Sequence, residues 1–362
     1  MSDIPMSVEL LEHRAEWENY VASSDEGTFY HSLKWQAVLE DVLGTETHYL
    51  AFRDMDAGVL VGICPFAISR NAGVFKILDS LPDSDFGGPL ISTGYGTKIG
   101  KALADQIRLL SREKGIAYTK MRCTTSELSH MLKTKDSRIE TPVGTMNLNL
   151  SHTTPDIIWE KHFSKKSGQR KFIRRCEQAG FQNREMQDKR DLASFYAIYK
   201  DNLQHIGTPP YPYHFFQELY NRLYPDHFNI LLTTDGHNCL AAQGFFAFAS
   251  RKALYLTYLG LDRKLMKQLH PSDHLHWGTI QWAQNHGFEQ ISFGSTPSDP
   301  QSHQRSAKSR FGAAFNQDYV LYTPLNTTLF TAREWAVNIG RRMEKKLPKQ
   351  ISGRLFAMGR NL

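Results

Sequence analysis

Cysteine is scarce in this sequence of 362 residues: Cys64, Cys123, Cys176 and Cys239 are far apart and form no C-x-x-C pair. That spacing excludes a zinc knuckle and a disulfide framework, and it fits a reducing compartment. Cys64 and Cys239 lie in apolar runs and read as buried small hydrophobes. Long apolar runs are lacking too. The two longest, residues 58–68 and 240–249, are about half the ~20 residues that span a bilayer. The opening MSDIPMSVELLEHRAEW lacks the basic-then-apolar order of a signal peptide. These absences predict a cytoplasmic protein, touching a membrane at most peripherally from its inner face.

Several catalytic schemes fail for want of their motifs. No G-x-S-x-G elbow, P-loop or strand-to-helix G-x-G-x-x-G is present. His270, His274 and His276 suggest a metal cluster at first. Helix positions two apart point away from each other, and no cysteine or carboxylate spacing supports them, so no metal is expected. GYGTKIG (94–100) is a weak candidate for holding a phosphate on helix N–H groups, and a plain helix entry reads better.

What is present is an ordinary globular composition with a formal charge of +6. The length suggests two domains. The charge admits anionic partners such as CoA, tRNA, a nucleotide-linked lipid precursor or a membrane surface, without choosing among them.

The periodicity predicts helices over 16–22 and 32–43, paired strands at 47–54 and 58–70, a strand at 74–81, an amphipathic helix over 98–114 and a returning strand at 116–123. A similar order recurs later. Strands are predicted at 228–235, 239–250 and 252–260, then a helix over 274–286 ended by Gly287, then a strand at 288–294. Each half thus offers antiparallel strands followed by strand–loop–helix–strand. The two halves show no residue-by-residue similarity. Between them lies residues 161–180, with seven Lys or Arg against one Glu. This basic helix is either a solvated face or an anion site. After Asn326 a basic tail carries Trp335, Ile339, Met343 and Leu347 at spacings of four, up to Pro348. It reads as an amphipathic helix whose apolar stripe docks on the first domain, with a membrane surface as the alternative.

The densest polar cluster follows the strand at 288–294: FGSTPSDPQSHQRSAKSRFGAAF (293–315). At Phe293, Gly294, Ser295, Lys308, Phe311 and Gly312 it resembles the FemAB family, which carries F-G-R-S, a polar loop and F-K-x-x-F-G. The departures are the missing arginine after Gly294 and Ala307 in place of the aromatic before the lysine. LDSLPDSDFGGPL (78–90), QRKFIRRCEQAGF (169–181), LQHIGTPPYPYHFFQEL (203–219) and DHLHWGTIQWAQNHGF (273–288) also resemble family segments, in the family's order. The resemblance covers roughly residues 30–323.

The resemblance implies an α/β (α+β) fold of two tandem GNAT-like domains, with mixed, mostly antiparallel sheets flanked by helices and a cleft between the domains. It implies a first domain over 1–155, completed by the returning segment 316–362, and a second over 156–315. It implies transfer of an acyl group, in Fem proteins an aminoacyl group from tRNA, to an amine of a cell-envelope, peptidoglycan-type precursor. Aminoacyl-tRNA or acyl-CoA would serve as co-substrate, with no tightly bound cofactor. The absence of a long helical arm in the second half leans toward an acyl-CoA or acyl-carrier donor, as in polysaccharide or lipid-linked metabolism. The departures at 295 and 307 leave room for a non-catalytic binding protein.

The chemistry names the site residues. Negative charge grows on the carbonyl oxygen as the amine attacks, so a fixed cation helps. Lys308 is expected there, with Arg305 as a weaker candidate. Asp85 is expected to orient or deprotonate the amine. Asp83 is the lesser alternative, and a turn role competes for both. Tyr211, in a proline-stiffened loop, Tyr258, Gln243, Phe311, and Arg170, Arg174 and Arg175 of the basic helix are expected at the substrates.

Overall fold

The computed structural model describes residues 6–344, apart from 11–12, 72–74, 152, 164–167 and 266–267. The chain divides into two compact units, Met1–Val143 with Gln317–Leu362, and Gly144–Asn316.

The first unit holds β1 (Met6–Leu10), α1 (Arg14–Ser23), α2 (Leu33–Ala37), β2 (Glu46–Asp54), β3 (Val59–Asn71), β4 (Phe75–Asp79), β5 (Leu90–Ile91), α3 (Gly96–Lys114), β6 (Tyr118–Cys123), α4 (Ser126–Met131) and β7 (Arg138–Glu140). The second holds β8 (Val143–Asn149), α5 (Pro155–Lys161), α6 (Gln169–Gln178), β9 (Gln182–Glu185), α7 (Lys189–His205), α8 (Tyr213–Leu223), β10 (Phe228–Thr234), β11 (Cys239–Phe248), β12 (Ala253–Leu261), α9 (Pro271–Asn285), β13 (Gln290–Pro297), α10 (His303–Ser309) and β14 (Ala314–Gln317). The chain then returns to the first unit as β15 (Tyr319–Pro324) and α11 (Thr327–Glu344).

The first sheet runs β1-β2-β3-β4-β6-β15-β7, with β5 added on β3. The returning strand β15 is antiparallel to both β6 and β7. The second sheet runs β14-β8-β13-β12-β11-β10-β9. Because β8 pairs there, the second unit starts ahead of residue 156. In both sheets a helix carries the chain between two parallel strands: α3 from β4 to β6, and α9 from β12 to β13. A parallel pair needs such a crossover, because the end of one strand and the start of the next lie at opposite ends of the sheet.

The sequence pattern explains both crossovers. On α3, Ile99, Leu103, Ile107 and Leu110 are buried, and their spacing puts them on one face. Gly62 of β3 leaves room for that face, since a Cβ there would sit 2.5 Å from Ile99 Cδ1. Gly115 caps the helix at φ 69°, where a side chain would be strained. On α9, Leu275, Ile280 and Ala283 join Phe245, Leu254 and Ile291 in the core of the second unit. Gly287 takes φ 74° just past its end, as the sequence predicts.

The tail helix docks differently from the expected stripe. Leu329 and Phe330 pack against the cluster of Ile77, Tyr118, Val320 and Tyr322. The Arg333 guanidinium, 8% exposed, lies 4.7 Å from the Tyr322 ring and 5.6 Å from that of Tyr118. Trp335, the first residue of the predicted stripe, is 70% exposed. Docking therefore uses an aromatic and a cation one turn earlier. The side chains of Ile339 and Met343, and all of Leu347 and Pro348, lie outside the described residues. Among the described residues no helix is long and apolar enough to cross a membrane.

A partly desolvated cation over rings contributes about 1–2 kcal/mol. Arg333→Ala is therefore expected to lower the melting temperature by roughly 2–8 °C. Calorimetry of the full chain checks this, and an unchanged melt contradicts the docking described.

Candidate functional site

In both sheets the parallel ladder is short, three residue pairs long. In the second, Ala253–Tyr255 face Gln290–Ser292, yet β12 continues to Leu261 and β13 to Pro297. In the first, Ile77–Asp79 face Tyr118–Lys120 before β4 ends and β6 continues to Cys123. Open sheets bind ligands where parallel strands present their carboxyl ends. Lys308 stands beside the end of one of these ladders and Asp85 beside the end of the other.

The surroundings of Lys308 begin with a glycine. Gly294 takes φ 74° inside β13, a conformation that costs other residues about 1–2 kcal/mol. On a regular strand, consecutive carbonyls point in opposite directions. After this twist the Gly294 and Ser295 carbonyls both accept from Lys308 Nζ, at 3.4 and 3.0 Å, and Thr296 Oγ1 accepts at 2.9 Å. Lys308 sits on α10, a short helix in what the sequence pattern presents as a loop. Its ammonium has three protons to donate and three acceptors on β13. It is thus a held charge, and it must trade a contact to reach a substrate oxygen.

Phe311 closes the turn after α10. It is 3% exposed and packs against Phe163, Phe293 and His276. At Gly312, φ is 88° and a Cβ would lie 3.0 Å from the His162 ring, so the Phe-Gly pair is dictated by packing. Arg305 donates to the Ser298 carbonyl at 2.9 Å, with its guanidinium 3.8 Å from the Phe315 ring centre. That ties the loop after β13 down to β14.

His276 is a site neighbour that sequence reasoning missed, having weighed it only as a metal ligand. Burial, and then the charge of Lys308, hold its imidazole down at about 4. It is neutral at physiological pH and a weak base beside a cation. Its ring spacing to Phe293 and Phe311 was not legible in sequence.

The remaining expected residues of the second unit fall in two other places. Tyr211 stacks on Phe215 at 4.4 Å and meets Tyr258 edge-on at 6.2 Å. Tyr258 is 4% exposed, within a group of rings that includes Tyr199, Phe216 and Phe228. Gln243 Nε2 donates to the Gly244 and Tyr258 carbonyls at 2.9 and 3.3 Å, where the β11–β12 register shifts. Direct substrate contact is the sequence expectation for Phe311, Tyr258 and Gln243; burial makes them the support beneath a surface.

On α6, Ile173 and Cys176 face the core, while Arg174 and Arg175 are exposed. Arg170 and Arg174 each lie 5.7 Å from the Trp159 ring centre, and Arg170 donates to the Trp159 carbonyl and to Glu160. Trp159 therefore organises two of the three arginines into one basic face.

In the first unit Asp85 lies in the loop between β4 and β5. Leu81 and Asp83 of this loop take φ of 60° and 58°, a left-handed strain of order 1 kcal/mol or more each. Gly88, at φ 96°, passes so close to β6 that a Cβ would sit 1.8 Å from the Arg122 carbonyl oxygen. Arg122 Nη1 donates to the Ser84 carbonyl at 3.4 Å and to that of Asp85. Arg122 N donates to Ser80 Oγ at 2.8 Å. His31 Nε2 is 3.1 Å from the Gly88 carbonyl, and burial pushes its imidazole down to about 4. Nδ1 accepts from Thr28 N and lies 2.8 Å from Thr28 Oγ1, so Nε2 carries the proton.

The GYGTKIG segment opens α3 at Gly96 with no side-chain cap. It lines a cavity of about 700 Å³ with Tyr20, Asp25, Glu26, Ser92 and Glu127. Three carboxylates around a helix start disfavour a phosphate there.

A family model described as an acetyltransferase (GNAT) domain matches residues 164–301. No curated protein matches the chain by sequence. Among solved structures, FemX is similar at 14% identity, covering 90% of this chain and 99% of its own, with a TM-score of 0.70. L-PGS from Bacillus licheniformis is similar at 14% identity over 88% and 93%, with a TM-score of 0.56. A tandem GNAT protein from the clavulanic acid biosynthesis pathway is similar at 10% identity over 88% and 98%, with a TM-score of 0.54.

The His31 arrangement makes a testable demand. Between pH 6.5 and about 4 the unfolded state binds a proton that the folded state refuses, so stability must fall as pH drops through that window. His31→Gln is expected to reduce this slope by nearly one proton, read by urea denaturation at pH 5 and 7. An unaltered slope would mean that His31 titrates normally.

The matched segment and the shared architecture agree: residues 164–301 match an acetyltransferase (GNAT) domain, and the chain has the fold of FemX.

Proposed function

We propose that this protein transfers an acyl group, of the aminoacyl type, from an ester or thioester donor to an amine on a cell-envelope precursor. One observation carries the reading: a lysine held at the carboxyl end of β13, where β12 and β13 have parted. The likeness in fold to FemX and to L-PGS from Bacillus licheniformis supports the reading.

The step needs a carbonyl carbon attacked by a neutral amine. A C–N bond forms, the carbonyl oxygen takes the negative charge, and the C–O or C–S bond to the carrier then breaks. The ammonium of the adduct gives up one proton, and the departing alkoxide or thiolate carries one away. Lys308 supplies positive charge to the oxyanion, worth about 2.7–4 kcal/mol when pre-placed. Held on β13, it reaches the oxyanion by trading one of its three contacts for the substrate oxygen. His276 remains neutral next to it and adds no competing charge. Asp85 serves the acceptor amine in this reading, and the carboxylates lining the α3 cavity suit a cationic group better than an anion.

The basic face of Arg170, Arg174 and Arg175 serves an anionic donor, with Tyr211 contributing a stiffly mounted ring. Arg305 keeps the loop that carries α10 in place. The donor is aminoacyl-tRNA in this reading. Acyl-CoA is the second reading, favoured by the matched acetyltransferase domain. A cytoplasmic location, with peripheral contact at the membrane's inner face, suits either donor.

Lys308→Ala is expected to lower kcat about 10²–10³-fold with a smaller change in donor KM. Steady-state kinetics with labelled donor checks this. An unchanged kcat removes Lys308 from the oxyanion role. Mass spectrometry of the native protein distinguishes the donors by what co-purifies.

A further inference from the structure

We infer that Asp318 is a positioning residue: it holds Arg122 in the carbonyls of the Ser84–Asp85 turn and thereby fixes the loop that carries Asp85. Asp318 precedes β15 and is 5% exposed. Its Oδ2 lies 3.8 Å from Arg122 Nε and has no hydrogen-bond partner. Its main chain is anchored, since its N–H donates to the Val143 carbonyl at 3.3 Å and its carbonyl accepts from Gln317 Nε2 at 2.8 Å. The next residue, Tyr319, is in register with Cys123, so the returning segment delivers the carboxyl beside Arg122.

Arg122 reaches both Asp318 and the carbonyls of Ser84 and Asp85. The loop needs such a clamp. Two of its residues are strained into positive φ, and the single proton of Ser84 Oγ can serve either the Leu81 or the Phe86 carbonyl. Asp318 itself is too deeply buried to touch a substrate, so its influence passes through Arg122. A buried carboxylate with an unfilled acceptor is costly. The cost is tolerable where the charge keeps a neighbouring cation aimed.

The surrounding charges set a pH signature. Burial raises the Asp318 carboxyl to about 6, Arg122 on β6 opposes this, and Asp85 in the loop and Glu26 after α1 add to it. Below that pH Asp318 takes up a proton and Arg122 loses its anionic partner, so the loop loosens. The sign for global stability is opposite. A carboxyl whose folded pKa is raised gains a proton on folding between about 4 and 6, so its own contribution grows on acidification. Local loosening is thereby distinguishable from acid unfolding.

Hydrogen–deuterium exchange of the full chain between pH 5 and 8, corrected for intrinsic rates, tests this on peptides covering 80–88. In the unmodified protein, exchange there should rise about fivefold as pH falls through 6, the factor for one lost hydrogen bond. Asp318→Asn should show that faster exchange at every pH, and Arg122→Gln should match it. Glu26→Gln should keep the pH dependence. A pH-flat profile in the unmodified protein, or equal acceleration across β2 and β3 in Asp318→Asn, overturns the inference by making Asp318 an ordinary core residue. The consequence for acceptor binding rests on the reading of Asp85 given above: Asp318→Asn should raise acceptor KM and leave donor KM unchanged. If the exchange pattern appears and no donor supports transfer, the positioning role stands and the transferase reading fails.

Discussion

The parting of two parallel strands governs this molecule. A parallel pair forces a helical crossover, and the crossover places a helix start and a connecting loop at the end where the strands diverge. In each unit the ladder between the parallel strands is three residue pairs long. The second unit fills the end of that ladder with Lys308, whose ammonium collects acceptors from β13. The first unit fills it with a strained loop pinned to β6 by Arg122.

Much of each site is committed to holding the chain in place. Arg305 binds a carbonyl and a ring, Gln243 stitches a register shift, and Phe311 lies in the core. Such groups set geometry, and few are left to act on substrate. In the proposed reading, Lys308 and Asp85 are the charged groups left for the chemistry. The exposed Arg174 and Arg175 on α6 are better suited to long-range attraction of an anion than to chemistry.

Local pattern made the strands and the two crossover helices legible. Ile99, Leu103, Ile107 and Leu110 announce α3, and Gly287 announces the end of α9. α10 was not legible: HQRSAKS has no apolar periodicity and reads as loop. Nor were the long-range partnerships. Nothing near Asp318 in sequence points to Arg122, because β15 reaches β6 only after the whole second unit has intervened. The Lys308 contacts depended on a glycine twist inside a strand, and periodicity does not report positive φ. The tail was half legible. Its helix was clear, but the docking face was set by Phe330 and Arg333 and not by the stripe that begins at Trp335.

The central claim is that an acyl group moves to an amine. The most direct measurement incubates the protein with isotope-labelled aminoacyl-tRNA or acyl-CoA and an amine-bearing envelope precursor, and follows the label by mass spectrometry. The account predicts an amide product carrying the label, formed with one donor and dependent on Lys308. Hydrolysis of both donors without amide formation, or no reaction with either, would contradict it.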